Sequence, residues 1–126
     1  MASDHLVHDV EEFCSLLEAS RLLSAEELHG LLTRFQRGQS QFGATLTGLT
    51  QFLVAAGAIT CWQCALLRNR QYKGFFLAGC VILDVLRYEG DHTRFLAREV
   101  ESKRLVALCV KPHNGPNGIE HWTEEI

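Results

Sequence analysis

Two thiols three residues apart, in Cys61-Trp62-Gln63-Cys64, form the spacing in this sequence with the widest chemical reach. In the first turn of a helix such a pair could lower a thiol pKa for disulfide exchange, or supply half of a tetrahedral zinc site. The rest of the chain completes neither set of ligands: there is no second Cys-x-x-Cys and no His-x-x-x-His. The six histidines, at 5, 8, 29, 92, 113 and 121, stand at no suggestive spacing from a carboxylate or nucleophile, and His5 and His8 near the start are expected to be solvated. Serines 15, 20, 24, 40 and 102 have no Gly-x-Ser-x-Gly context. These residues therefore predict no catalytic group, no metal site and no cofactor.

The elements that would carry the thiols come from an internal repeat. Displaced by 36 residues, Phe13 to Gly38 lies over Leu49 to Gly74, pairing Leu17 with Leu53, Ala19 with Ala55, Leu31 with Leu67, Arg34 with Arg70 and Gly38 with Gly74. Each copy reads as helix, turn, helix, because Phe13, Leu16, Leu17 and Leu28, Leu31, Leu32, Phe35 recur at the spacing of one helical face. Ser24-Ala25-Glu26-Glu27 and Thr60-Cys61-Trp62-Gln63 both fit a capping box, with the hydroxyl taking the N3 amide and the Glu or Gln reaching back to the cap amide. Gly38 and Gly74 are expected to end the copies through positive φ, and Gln39 to Gly48 to be a polar connector. In this frame Cys61 aligns with Ala25 and Cys64 with Leu28, so both thiols are expected to be structural, Cys64 facing the core.

Composition limits the partners. The 126 residues are 47% hydrophobic and 21% charged with a net charge of -3, an ordinary globular balance that supplies no general basic surface for nucleic acid. No run reaches the ~18 apolar residues a membrane helix needs, and the start lacks the order of a secretion signal. Five scattered cysteines suit reduced thiols, so the expected compartment is the cytoplasm. Residues 1–38 hold seven acids and three bases, whereas 39–74 hold three bases and no acid. Opposite charge of that kind makes a homo-oligomer one candidate state, with two solvated faces the plainer reading.

From Cys80 the period changes. Cys80 to Leu86, Arg94 to Val100 and Leu105 to Val110 are short β-rich runs joined by short polar connectors, which predicts a three-stranded antiparallel meander. Asn114-Gly115-Pro116-Asn117-Gly118 is a turn signal, and Ile119 to Ile126 is expected to be a tail, either docked through Ile119 and Trp122 or loose. Candidate partner contacts are Trp62, Phe75, Phe76 and Trp122, with Phe75-Phe76-Leu77 expected to wedge the helical and strand portions together.

The order of parts resembles a known family. Leu53 to Leu67 followed by Lys73-Gly74-Phe75-Phe76-Leu77 resembles the segment just ahead of the catalytic domain in serine/threonine protein kinases of planctomycete-type bacteria. Val81 to Leu86 then resembles strand one of the kinase amino-terminal lobe, and Val106-Ala107-Leu108-Cys109-Val110 stands in place of the Val-Ala-x-Lys strand. In an active kinase, loop glycines let backbone amides reach the ATP phosphates and the strand lysine holds them. The resemblance puts the loop glycines on Arg87, Glu89 and His92 and the lysine on Cys109, with Lys111 two residues further along the same face. The chain has no room for the catalytic loop or the metal-binding motif, so the resemblance implies shape without phosphoryl transfer.

Fold and function are thus expected as follows. The fold is α+β: residues 1–74 a pair of helix-turn-helix repeats, 75–112 a three-stranded sheet like part of a kinase amino-terminal lobe, and 113–126 a turn and tail. The function is that of a non-enzymatic interaction or regulatory module whose partner is another protein, such as a kinase or signalling protein. The alternatives are a degenerate nucleotide-binding pseudokinase fragment, and a docking domain like those of bacterial secretion ATPases, which would carry a fifth helix instead of strands.

Overall fold

The computed structural model describes residues 6–38, 45–112 and 118–126. The fold is α+β, and the chain divides into two compact units, Met1–Gly74 and Phe75–Ile126. The first contains, among its described residues, helices α1 (Val10–Ser20), α2 (Ala25–Arg37), α3 (Leu46–Ala55) and α4 (Cys61–Arg68). The second is a five-stranded antiparallel sheet in sequence order: β1 (Phe76–Leu77), β2 (Cys80–Tyr88), β3 (Thr93–Glu99), β4 (Leu105–Pro112) and β5 (Ile119–Glu124).

In the helical unit, Phe13, Leu17, Leu28, Phe35, Leu49, Leu53 and Leu67 are buried where the helical period places them, each worth ~1.5–3 kcal/mol of apolar transfer. Both predicted capping boxes form. Ser24 Oγ accepts from the Glu27 amide at 3.1 Å while the Ser24 amide donates to Glu27 Oε1 at 2.9 Å, and Thr60 and Gln63 do the same at 3.1 and 2.9 Å. Chain reversals after α1 and α3 fall at Arg21 (φ 66) and Gly57 (φ 76), which are also 36 residues apart. The second helix of each pair differs, however: α2 has 13 residues and α4 has 8. The two glycines expected to end the copies do not act alike either. Gly38 caps α2 with φ -104, an ordinary conformation, and Gly74 has φ 89 but lies beyond α4, whose end is turned by left-handed Arg70. The arginine holds that strained position because its amide and that of Gln71 satisfy the carbonyls of Leu67 and Leu66 at 2.9 and 2.8 Å. The predicted connector also runs too far. Thr45 caps the Gly48 amide at 3.0 Å, so Leu46 to Gly48 belong to α3, and residues 39–44 lie outside the described set.

The sheet has five strands where three were expected. The turn signal over 113–117 lies outside the described residues, but Ile119–Glu124 beyond it is a strand, paired with β4 from Ala107↔Glu124 to Pro112↔Ile119. Phe76 and Leu77 pair with Val81 and Cys80 as β1, through a two-residue turn at Ala78 (φ 55) and Gly79 (φ 75). This double left-handed turn matches the right-handed twist of antiparallel strands. Register shifts between Ile82 and Asp84 and between Val85 and Arg87 bend β2. Interior strand β4 buries Val106, Ala107, Leu108 and Cys109 on both of its faces.

Candidate functional site

Arg87, Arg94, Cys109 and Trp122 occupy one transverse row across β2, β3, β4 and β5, because they are successive cross-strand partners. Cross-strand partners share a face, so this register gathers these residues at the end of the sheet that carries the β2–β3 loop. Two arginines side by side would repel, and each is drawn to its own carboxylate. Arg87 Nε lies 3.3 Å from Glu89 Oε1, and Arg94 Nη1 is ion-paired with Glu124. Trp122 Nε1 donates to the other Glu124 oxygen at 3.0 Å.

The loop itself is closed by the Glu89 amide donating to the His92 carbonyl at 2.8 Å, with Gly90 at φ 72 supplying the reversal. Asp91 is its electrostatic centre. One carboxylate oxygen lies 2.8 Å from His92 Nδ1 and the other 3.4 Å from Lys111 Nζ. The His92 hydrogen bond, then Lys111, hold the Asp91 carboxyl below the usual range. The Arg94 hydrogen bond, then that of Trp122, do the same for Glu124. The His92 ring stacks obliquely on Trp122 with centroids 5.1 Å apart. Within the row, Cys109 is fully buried, and that burial raises its thiol pKa.

Arg87, Glu89, His92 and Cys109, the positions the resemblance singles out, are therefore brought to one end of one sheet. Asp91, Arg94 and Glu124 were not foreseen. The Arg94–Glu124 pair depends on β5, six residues in which Ile119, Trp122 and Thr123 favour a strand while two glutamates do not. The aromatic candidates separate. Phe75 is buried at 2% exposure, so Phe76, at 44%, is the residue of that pair a partner can touch. Trp122 and Trp62 are half-buried.

In the helical unit, Thr50, Gln51, Val54 and Ala55 of α3 and Cys61, Cys64 and Ala65 of α4 line an open, mainly apolar groove of about 420 Å³. Cys61 is exposed there and Cys64 half-buried, short of the core position expected from its alignment with Leu28. Among the described residues, no group of three or more His, Cys, Asp or Glu is placed to hold a metal ion, and no helix is long and apolar enough to cross a membrane. Comparison with protein-family models, curated proteins and solved structures finds no match to the chain.

Proposed function

We propose that this chain is a non-catalytic protein-interaction or regulatory module, built as a degenerate counterpart of the amino-terminal region of a bacterial serine/threonine protein kinase, with two helix-turn-helix copies ahead of the sheet. The observation that carries the reading is the state of the loop end of the sheet. A nucleotide phosphate approaching that loop would meet Glu89 and Asp91. The nearest substitute for a phosphate-holding lysine, Lys111, already faces Asp91 at 3.4 Å, and Cys109 at the lysine position is buried and neutral. A surface whose cations are already satisfied by its own carboxylates suits a protein partner better than ATP. That partner is another protein, such as a kinase or other signalling protein, met through Phe76, Trp122 and Trp62.

A titration of isotopically labelled protein with Mg-ATP, read on the amides of Arg87 to Thr93 and Cys109 to Lys111, tests this reading. Unchanged amide positions at millimolar ATP are expected. Saturable shifts confined to those amides would instead establish the nucleotide-binding pseudokinase alternative. The secretion-ATPase docking alternative draws no support from the second unit, where β2 to β4 run in place of a fifth helix.

A further inference from the structure

We propose that Cys61 and Cys64 form a thiol–disulfide exchange site that reacts with low-molecular-weight disulfides and closes to an intrahelical disulfide on the wall of the α3–α4 groove. The proposal is independent of the kinase-like reading of the sheet. Cys61 opens α4 directly after the Thr60 cap, and Cys64 lies one turn on, its amide bonded to the Thr60 carbonyl at 2.9 Å. Helix geometry separates such Cα atoms by about 5 Å, inside the ~4.4–6.8 Å range that a disulfide spans. Both side chains line the same groove, so a small disulfide can reach them from solvent.

Exposure sets the order of events. All five cysteines are free, and Cys61 is the exposed one. Cys80 and Cys109 are buried. Cys14 is half-buried, and burial followed by the nearby charges of Glu18 and Asp9 raises its thiol pKa. Exchange therefore begins at Cys61: its thiolate attacks the small disulfide, forms a mixed disulfide and expels one small thiolate. Cys64 then loses its proton to solvent, and its sulfur attacks that of Cys61 and expels the second small thiolate. Two protein thiols are oxidised and one small disulfide is reduced to two thiols, so atoms and electrons balance. Burial raises the Cys64 thiol pKa, while Arg68 and the Thr50 hydroxyl oppose that rise, as a resolving rather than an entering thiol requires.

The test is incubation of the full chain with excess glutathione disulfide, acid quench, alkylation after unfolding, and peptide mass mapping. The expected product is a Cys61–Cys64 peptide lacking two hydrogens and carrying no glutathione, with Cys14, Cys80 and Cys109 alkylated. Cys64→Ser should retain glutathione on Cys61, and Cys61→Ser should slow modification of Cys64 by roughly tenfold. A wild-type chain that stops at the Cys61 mixed disulfide, remains unmodified, or reacts at comparable rates at all five cysteines would overturn the proposal; the wild-type result requires no variant to fold.

Discussion

At the scale of single residues, the sheet unit keeps three carboxylates charged further into acid than usual. Asp91 owes this first to His92, Glu124 first to Arg94, and Glu99 first to the Ser102 hydroxyl, which donates to it at 2.5 Å. A group whose folded pKa is depressed binds fewer protons folded than unfolded. Its stabilisation is complete above the ordinary carboxylate value near ~4 and is lost as pH falls through the lower folded values. The denaturant midpoint should therefore fall as the protein is acidified from about pH 5 to about pH 3. Carbon-detected titration of the side-chain carboxyls should place all three below the ordinary range, and Arg94→Met should raise the Glu124 midpoint while leaving that of Glu99 in place. A Glu124 midpoint indifferent to Arg94→Met would assign its depression to a different neighbour. The charged residues at this end of the sheet were legible in sequence only in part. Arg87, Glu89 and His92 were singled out by the kinase resemblance, whereas Glu124 reaches Arg94 through a pairing 30 residues distant.

At the scale of elements, what was legible is local. A capping box needs a hydroxyl and a Glu or Gln three residues later, which sequence displays directly, and Thr60→Ala should cost about 1 kcal/mol in equilibrium unfolding. A loss within experimental error would mean that the cap contributes nothing to α4. Helix ends and strand count depend on more distant partners and were read less well. Gly38 looked like a left-handed stop yet ends α2 at φ -104, while left-handed positions fell to Arg21, Arg70, Ala78 and Lys103. The Ala78-Gly79 turn is one place where sequence and backbone disagree, because a two-residue turn with both φ positive favours Asn at its first position. Ala78→Asn should stabilise the protein by on the order of 0.5–1 kcal/mol, seen as a higher unfolding midpoint at unchanged m value. The expected tail is likewise structural. Ending the chain after Pro112 would strip β5 from the strand that buries Val106 to Cys109, so such a protein should lose the amide-exchange protection of β4 and aggregate through the bared edge. Preserved β4 protection would return Ile119–Glu124 to the status of an appendage.

At the scale of the whole molecule, the sequence feature with the longest reach is the charge contrast between residues 1–38 and 39–74. The same contrast that could join two copies can be satisfied within one, and the helical unit shows where. Arg70, on the basic side, forms an ion pair with Glu12 of α1, and its second guanidinium nitrogen lies 3.5 Å from the Leu6 carbonyl. Beside it the Val7 amide donates to the Arg68 carbonyl at 2.8 Å, so the segment ahead of α1 is fastened to the end of α4. One of the three bases between residues 39 and 74 is thus engaged inside the unit, and the remaining attraction between copies is screened beyond about 8 Å at physiological salt. Sedimentation should accordingly give a mass that does not change between about 0.05 and 0.5 M salt. A mass that falls towards the monomer above about 0.3 M would show that opposite charges join copies after all, and Arg70→Gln would then separate the two uses of that charge: it should destabilise the helical unit if Glu12 is the main partner, and weaken only the assembly if a second copy is.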